Sequence, residues 1–142
     1  MYLLDVNMLI ALAWDDHEHH QAAHVWFSNY AHLGFATCNV TQSGFIRVSL
    51  NPKFVQRGMN STEAIAKLKS ITSQPKHKFW EDGPVQIESK LWHTVTGHGE
   101  VTDTNLFLIA QRNGGRLATF DGAIRNRLPS KERPQVEIIP AS

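Results

Sequence analysis

Three aspartates occupy positions where α/β proteins commonly build a site. Asp5 and Asp121 each follow a short apolar segment, and Asp103 lies at the start of an amphipathic one. If the apolar segments are parallel strands, their carboxyl ends and the first turn of the helix meet at one edge of a sheet. Carboxylates gathered there repel one another unless a cation neutralises them. Such oxygen ligands suit Mg²⁺ or Mn²⁺, which can activate water for attack on a phosphodiester.

Each aspartate also has an ordinary structural explanation that the pattern leaves open. An aspartate after a strand is often a turn or cap residue. Near a helix N-terminus, Asp103 interacts favourably with the helix dipole whether or not a metal is bound. The metal site is therefore a hypothesis about the three positions together, and no single aspartate is sufficient evidence for it.

The remainder of the chain predicts the elements that would position these residues. Short apolar segments predict strands at 2–4, 35–38, 79–80, 116–120 and 136–139. Apolar side chains at helical spacing predict helices at 6–14, 17–30, 41–50, 61–73, 84–95 and 103–112. We expect a cap near Asp5 for the first helix, and Thr41, Ser61 and Thr102 to begin three others. Pro84 fits the first turn of another. The alternation predicts an α/β sandwich around a mostly parallel sheet.

Length and composition predict one domain spanning residues 1–142. The chain is 42% hydrophobic and 19% charged, as globular domains are. Its single cysteine, Cys38, has no partner for an internal disulfide. The 14 Lys and Arg residues balance 13 Asp and Glu residues, which disfavours binding of duplexes by bulk charge. We find neither a signal peptide nor a membrane-spanning segment, so the expected location is the cytoplasm.

The segments around the three aspartates carry recognisable motifs. They read LLDVNMLI at residues 3–10, VTDTNLFLIA at 101–110 and LATFD at 117–121. In these segments the chain resembles the PIN-domain ribonucleases of the VapC toxin type. The separation of 18 residues between Asp103 and Asp121 is typical of that pattern. Residues 20–27 and 41–47, together with Asn51-Pro52, resemble one bacterial branch of the family.

The resemblance implies a PIN fold, in which helices flank a parallel sheet of about five strands. It implies an Mg²⁺- or Mn²⁺-dependent endoribonuclease that is the toxin of a type II toxin–antitoxin module. Asp5 and Asp103 would be metal ligands, and Asp121 would complete the acidic cluster. Asn7 and Thr119 would orient the acids or a bound water by hydrogen bonds. The implied partners are an RNA substrate, a cognate antitoxin protein and a second copy in a homodimer.

One position departs from the family's pattern. Many PIN nucleases carry a glutamate on the helix after the second strand, where this chain reads Thr41-Gln42-Ser43-Gly44-Phe45. Gln42 is the best positional substitute, and Gly44 is the alternative alignment. Glutamine brings no charge, so the site would hold its cation with three acids. This weakens the case for two metals and makes Glu100 a candidate fourth ligand.

Two other functional classes remain open. One is another Mg²⁺-dependent phosphohydrolase, although Asp5-Val6-Asn7 lacks the second acid that an aspartyl-phosphate enzyme needs. The other is a catalytically weak or inactive PIN-like module that binds RNA or protein, in which the missing acid reflects lost catalysis.

Four histidines also raise the question of zinc: His17, His19, His20 and His24. His20 and His24 share a helical face. No cysteine pair or His-Glu-x-x-His motif accompanies them, so we expect histidines of a helix surface or of the rim of the site.

Overall fold

The computed structural model describes residues 1–54 and 59–141. Within these ranges the strands are β1 (Tyr2–Leu4), β2 (Phe35–Thr37), β3 (His77–Phe79), β4 (Arg116–Thr119) and β5 (Val136–Ile138). The α-helices are α1 (Val6–Ala13), α2 (His20–Tyr30), α3 (Asn39–Ser49), α4 (Ser61–Thr72), α5 (Val101–Arg112) and α6 (Ala123–Arg127). Short 3₁₀ turns cover Ala31–Leu33, Lys90–Thr94, His98–Glu100 and Ser130–Gln135. None of the described helices is long and apolar enough to cross a membrane.

The five strands form one parallel sheet in the order β3-β2-β1-β4-β5. β1 lies at its centre, where Tyr2 pairs with Phe35 of β2 on one side and with Arg116 of β4 on the other. From β1 the chain winds outward through β2 and β3, then returns to β4 and β5 on the opposite side. The winding direction therefore reverses between β1 and β4, and this reversal opens a crevice at their carboxyl ends.

The central strands are apolar on both faces because helices cover both sides of the sheet. Successive side chains of a strand point to opposite faces. Accordingly, Leu3 packs in the cluster that contains α5, whereas Leu4 packs in the cluster that contains α1. The α1 cluster includes Trp14, whose ring stacks on Phe45 and whose indole N–H donates to Ser49 Oγ at 2.9 Å. The predicted α/β sandwich around a parallel sheet is confirmed.

Helix starts depend on contacts that the sequence pattern shows only in part. The expected cap at Asp5 is confirmed, since its side chain accepts from the backbone N–H of Asn7. Helix α3 begins at Asn39, two residues before Thr41, because Asp82 accepts from the backbone N–H groups of Asn39 and Val40. Thr41 is therefore not the N-cap residue, although its hydroxyl accepts from the backbone N–H of Cys38 at 2.9 Å at the same helix start.

The other two helix starts had different outcomes. Helix α4 begins at Ser61 as predicted, although its capping side chain is that of Asn60, which accepts from the backbone N–H of Glu63. Helix α5 begins at Val101, directly after the 3₁₀ turn that ends at Glu100, so Thr102 lies inside the helix.

The helix predicted at 84–95 is wrong. Only Lys90–Thr94 is helical there, as a 3₁₀ turn. Val85 and Ile87 are exposed, so the apolar spacing marks no buried face. The preceding segment is fixed from a distance, because the Arg112 guanidinium donates to the carbonyl oxygens of Glu81 and Asp82, both at 2.6 Å. Other differences are small: β3 lies at 77–79, α2 begins at His20, and α6 was not predicted.

Candidate active site

Five of the six predicted site residues line one cleft at the carboxyl ends of β1 and β4. The cleft has a volume of about 170 Å³ and is lined by Asp5, Asn7, Asp103, Thr119 and Asp121, with Val6, Gly99, Thr102 and Leu106 beside them. It lies at the point where the winding of the sheet reverses. Parallel strands thus bring together residues that are more than a hundred positions apart in the chain.

Asp5 is fixed at both of its carboxylate oxygens. Oδ1 accepts from the backbone N–H of Asn7 at 2.6 Å, and Oδ2 accepts from the Thr119 hydroxyl at 2.5 Å. Burial raises the pKa of the Asp5 carboxyl, an effect that these hydrogen bonds oppose and the negative charge of Asp103 reinforces. The fold therefore holds an acid whose ionised form is unfavourable without a nearby cation.

Thr119 connects the ends of the two central strands. Its side chain is only 2% exposed. While its hydroxyl donates to Asp5, the same oxygen accepts from the backbone N–H of Asp121 at 3.1 Å. The exposed Asp121 side chain in turn accepts from the backbone N–H of Ala123 at 2.9 Å. Thr119 thus positions both strand-end aspartates, consistent with the supporting role expected for it.

Asp103 enters the cleft from the first turn of α5. The pKa of the Asp103 carboxyl is raised, chiefly by burial and to a smaller extent by the negative charge of Asp121. The positive charge of the Arg127 guanidinium opposes this rise. Nη2 of Arg127 lies 3.1 Å from Asp103 Oδ1. The sequence reasoning missed Arg127 because it lies on α6, which was not predicted. Only the general need of a buried arginine for an acidic partner could have suggested it.

Gln42 is the predicted site residue that the structure leaves out of the cleft. Its Nε2 donates to the Thr37 hydroxyl at 2.9 Å, and that hydroxyl also contacts Nε2 of His77 at 2.7 Å. The alternative position, Gly44, faces Val6 so closely that a Cβ there would lie 2.7 Å from a methyl group. Neither alignment places a side chain of α3 among the acids.

Glu100 does not line the cleft either. Its Oε1 accepts from the backbone N–H of Thr96 at 2.7 Å, and its Oε2 lies 3.6 Å from Nε of Arg127. The carboxylate is thus engaged by a turn and by a guanidinium. The position of Glu100 therefore does not support it as a fourth metal ligand.

The histidines found near the start of α2 have a structural role. His20 Nδ1 lies 2.7 Å from the carbonyl oxygen of Ala11, and His24 Nε2 lies 3.0 Å from that of Leu12. Both carbonyls belong to the last turn of α1, where a helix leaves oxygens without internal partners. This agrees with the expectation of helix-surface histidines and gives zinc no support.

The chemistry of the cleft fits a hydrated divalent cation. Its donors are the carboxylates of Asp5, Asp103 and Asp121, which are the hard oxygen ligands that Mg²⁺ and Mn²⁺ prefer. Among the described residues, no three acidic, histidine or cysteine side chains converge closely enough to enclose a bare ion. Mg²⁺ commonly keeps several of its waters and uses only one or two carboxylates. The three aspartates are therefore the residues that would hold the cation, some of them through its bound waters.

Comparison with known proteins identifies the family. No model of a known protein family matches the chain. The chain is, however, 37% identical over 139 residues to Ribonuclease VapC38 of Mycobacterium tuberculosis, covering 98% of both chains. It is 43% identical over 124 residues to Ribonuclease VapC39 of the same organism, covering 86% of this chain and 89% of the relative. The chain belongs to the VapC family.

A solved structure shows the same fold. VapBC2 from Rickettsia felis, bound to a DNA fragment from its promoter, superposes with a TM-score of 0.61 and covers 96% of each chain. Sequence identity is only 14%, so this likeness concerns the fold alone. The PIN fold expected for a VapC chain is confirmed.

Proposed function

We propose that this VapC chain is a divalent-metal-dependent endoribonuclease and the toxin of a type II toxin–antitoxin module. Its relatives in Mycobacterium tuberculosis are named ribonucleases. The observation that carries the proposal is the cleft, where Asp5, Asp103 and Asp121 come together from three distant segments. The reversal of winding beside β1 is the usual position of a ligand site in an open parallel sheet.

In this proposal each residue of the cleft has a separate task. Asp5, Asp103 and Asp121 hold Mg²⁺ or Mn²⁺. The bound cation supplies charge stabilisation for the phosphodiester and a water of lowered pKa. Thr119 fixes the orientation of Asp5, and the exposed Asn7 side chain at the cleft can contact the bound water or phosphate. Attack by water leaves a 5′-phosphate and a 3′-hydroxyl, and the ribose 2′-hydroxyl takes no part.

The proposal includes partners. The R. felis structure of similar fold is a VapBC2 assembly on promoter DNA. By analogy we propose a cognate antitoxin protein for this chain, a homodimer as its assembly and the cytoplasm as its location. The substrate is single-stranded or looped RNA, since a flexible backbone can bend into a narrow acidic cleft.

The function is tested by incubating the purified protein with end-labelled RNA in Mg²⁺, in Mn²⁺ or in EDTA. We expect cleavage with either metal, none in EDTA, and 5′-phosphorylated products. Asp5→Asn and Asp103→Asn should each reduce cleavage at least a hundredfold, on the order of the loss expected when a metal ligand is removed. Asp16→Asn alters an exposed aspartate outside the cleft and is the matched control.

Other outcomes of this experiment would contradict the proposal. Cleavage that persists in EDTA would refute the metal dependence, and full activity of either cleft variant would refute the assignment of the site. RNA binding without cleavage would support the alternative of an inactive binding module. Hydrolysis of p-nitrophenyl phosphate with intact RNA would instead support another phosphohydrolase.

A further inference from the structure

Arg127 is a nearly buried charge beside the proposed metal site. Its side chain is 13% exposed at the end of α6. Nη2 donates to Asp103 Oδ1 at 3.1 Å and to the Thr104 hydroxyl at 3.0 Å. Nη1 donates to the Thr94 hydroxyl at 3.1 Å, and Nε lies 3.6 Å from Glu100 Oε2. Four side chains from two segments therefore fix the guanidinium in place.

The position of Arg127 gives Asp103 a counter-ion that belongs to the protein. One guanidinium faces two carboxylates, and Glu100 is also held by the backbone N–H of Thr96. We propose that Arg127 is a positioning residue that neutralises and orients Asp103 in the metal-free site and thereby weakens the affinity of the cleft for a divalent cation. This inference rests on the proposed function, because it presumes that Asp103 is a metal ligand.

Two opposing electrostatic effects follow from this arrangement. Without a cation, the ionised acids of a half-buried cleft repel one another, and Arg127 relieves part of that repulsion. When a cation approaches, the same positive charge repels it and competes for Asp103. An opposite charge within about 4–6 Å shifts the binding of a proton to an aspartate by roughly tenfold to a thousandfold. A divalent ion carries twice the charge, so we expect an effect of about tenfold or more on its affinity.

The sign of this effect separates the proposal from a merely structural role. If Arg127 only supported the fold, its removal would disorder Asp103 and weaken metal binding. If it acts as a competing counter-ion, its removal strengthens metal binding. Arg125 is an exposed arginine on the same helix, so Arg125→Met removes the same formal charge from α6 without removing the contact to Asp103. It serves as the matched control.

The test is a calorimetric titration of the metal-free proteins with Mn²⁺. We expect Arg127→Met to bind Mn²⁺ about tenfold more tightly than the wild type. Arg127→Lys keeps the charge and should stay within about threefold of the wild type, and Arg125→Met should do the same. Equal or weaker binding by Arg127→Met would overturn the inference while leaving the metal-dependent function in place. A wild-type protein that binds no Mn²⁺ would overturn both.

A second measurement follows the wild-type protein and needs a variant only to assign one resonance. The Nε–H resonance of Arg127 is assigned by its disappearance in Arg127→Lys and followed during titration with Mg²⁺. We expect it to shift on saturation and to return after addition of EDTA, while the Arg125 resonance stays in place. An Arg127 resonance that does not move as Mg²⁺ saturates the site would also overturn the inference.

Discussion

Thr119→Val is the substitution that tests most directly how the fold holds Asp5. Valine has nearly the shape of threonine but lacks the hydroxyl that donates to Asp5 Oδ2 and accepts from the backbone N–H of Asp121. Because Thr119 is 2% exposed, water cannot readily replace the lost donor. The change therefore leaves a half-buried carboxylate with one partner fewer.

The structure allows the size of the effect to be worked out. A hydrogen bond to a charged group contributes about 1.5–3 kcal/mol to the free energy of unfolding. The bond from Asp121 adds about 0.5–1 kcal/mol, because this residue is exposed and water can partly replace the acceptor. The additional buried methyl group of valine offsets this loss, because it adds about 0.8 kcal/mol to the free energy of unfolding. We expect a net loss of about 2 kcal/mol at pH 7.

The dependence on pH distinguishes this loss from a packing defect. The Thr119 hydroxyl favours the ionised form of Asp5, so it holds the pKa of that carboxyl below the value that burial alone would give. Its removal raises the pKa further. The stability deficit of Thr119→Val therefore grows as pH rises through the pKa of Asp5 in the folded protein, and it shrinks as the carboxyl becomes protonated at lower pH.

Urea denaturation in EDTA, at pH 7 and again at a pH near 4, measures the loss of stability in Thr119→Val and the dependence of that loss on pH. Thr119→Ser is the control, since it keeps the hydroxyl and loses one buried methyl group, a change of about 1 kcal/mol that should not vary with pH. The reasoning is refuted if the valine variant is as stable as the serine variant at pH 7. It is refuted equally if the deficit is the same at both pH values.

Two further predictions concern the charge of the cleft. Asp5→Asn should raise the free energy of unfolding of the metal-free protein by about 1 kcal/mol at pH 7. Because the pKa of Asp5 is raised in the folded protein, ionisation of this carboxyl lowers the stability of the fold as pH rises through that pKa. The stability gained by Asp5→Asn should therefore vanish in thermal melts at a pH below the pKa of Asp5. A variant that is less stable than the wild type at pH 7 would contradict this prediction. Gln42→Glu restores the charge typical of the family but directs it at the Thr37 hydroxyl, so Mn²⁺ titration should show no gain in affinity. A tenfold gain would place the side chain in the cleft.

The grouping of residues in the cleft was largely predictable from the sequence, because parallel strands bring the residues at their carboxyl ends close together. Each strand-end acid is marked by the apolar segment before it, and the strands that precede Asp5 and Asp121 are neighbours in the sheet. Once the strands were recognised, the convergence of Asp5, Thr119 and Asp121 followed without knowledge of the intervening hundred residues.

The features that were not predictable depend on contacts between distant segments. At the start of α3, two backbone N–H groups are satisfied by Asp82, which lies 43 residues beyond Asn39. The segment that was predicted as a helix at 84–95 follows two residues whose carbonyl oxygens accept from Arg112, which lies 31 residues beyond Glu81. Local propensity cannot register such partners, so helix boundaries and irregular segments are where the sequence interpretation was wrong.

Two features of the residues around this cleft act in the same direction. Gln42 brings no acid to the site, and Arg127 adds a positive charge beside Asp103. The three aspartates, Glu100 and the Arg127 guanidinium, four negative charges against one positive, together carry a formal charge of −3, which one divalent cation brings to −1. Two such ions would leave an excess of positive charge in a partly buried cleft until a phosphate entered. In the proposal made above, the cation is therefore held by the aspartates in competition with the protein's own arginine.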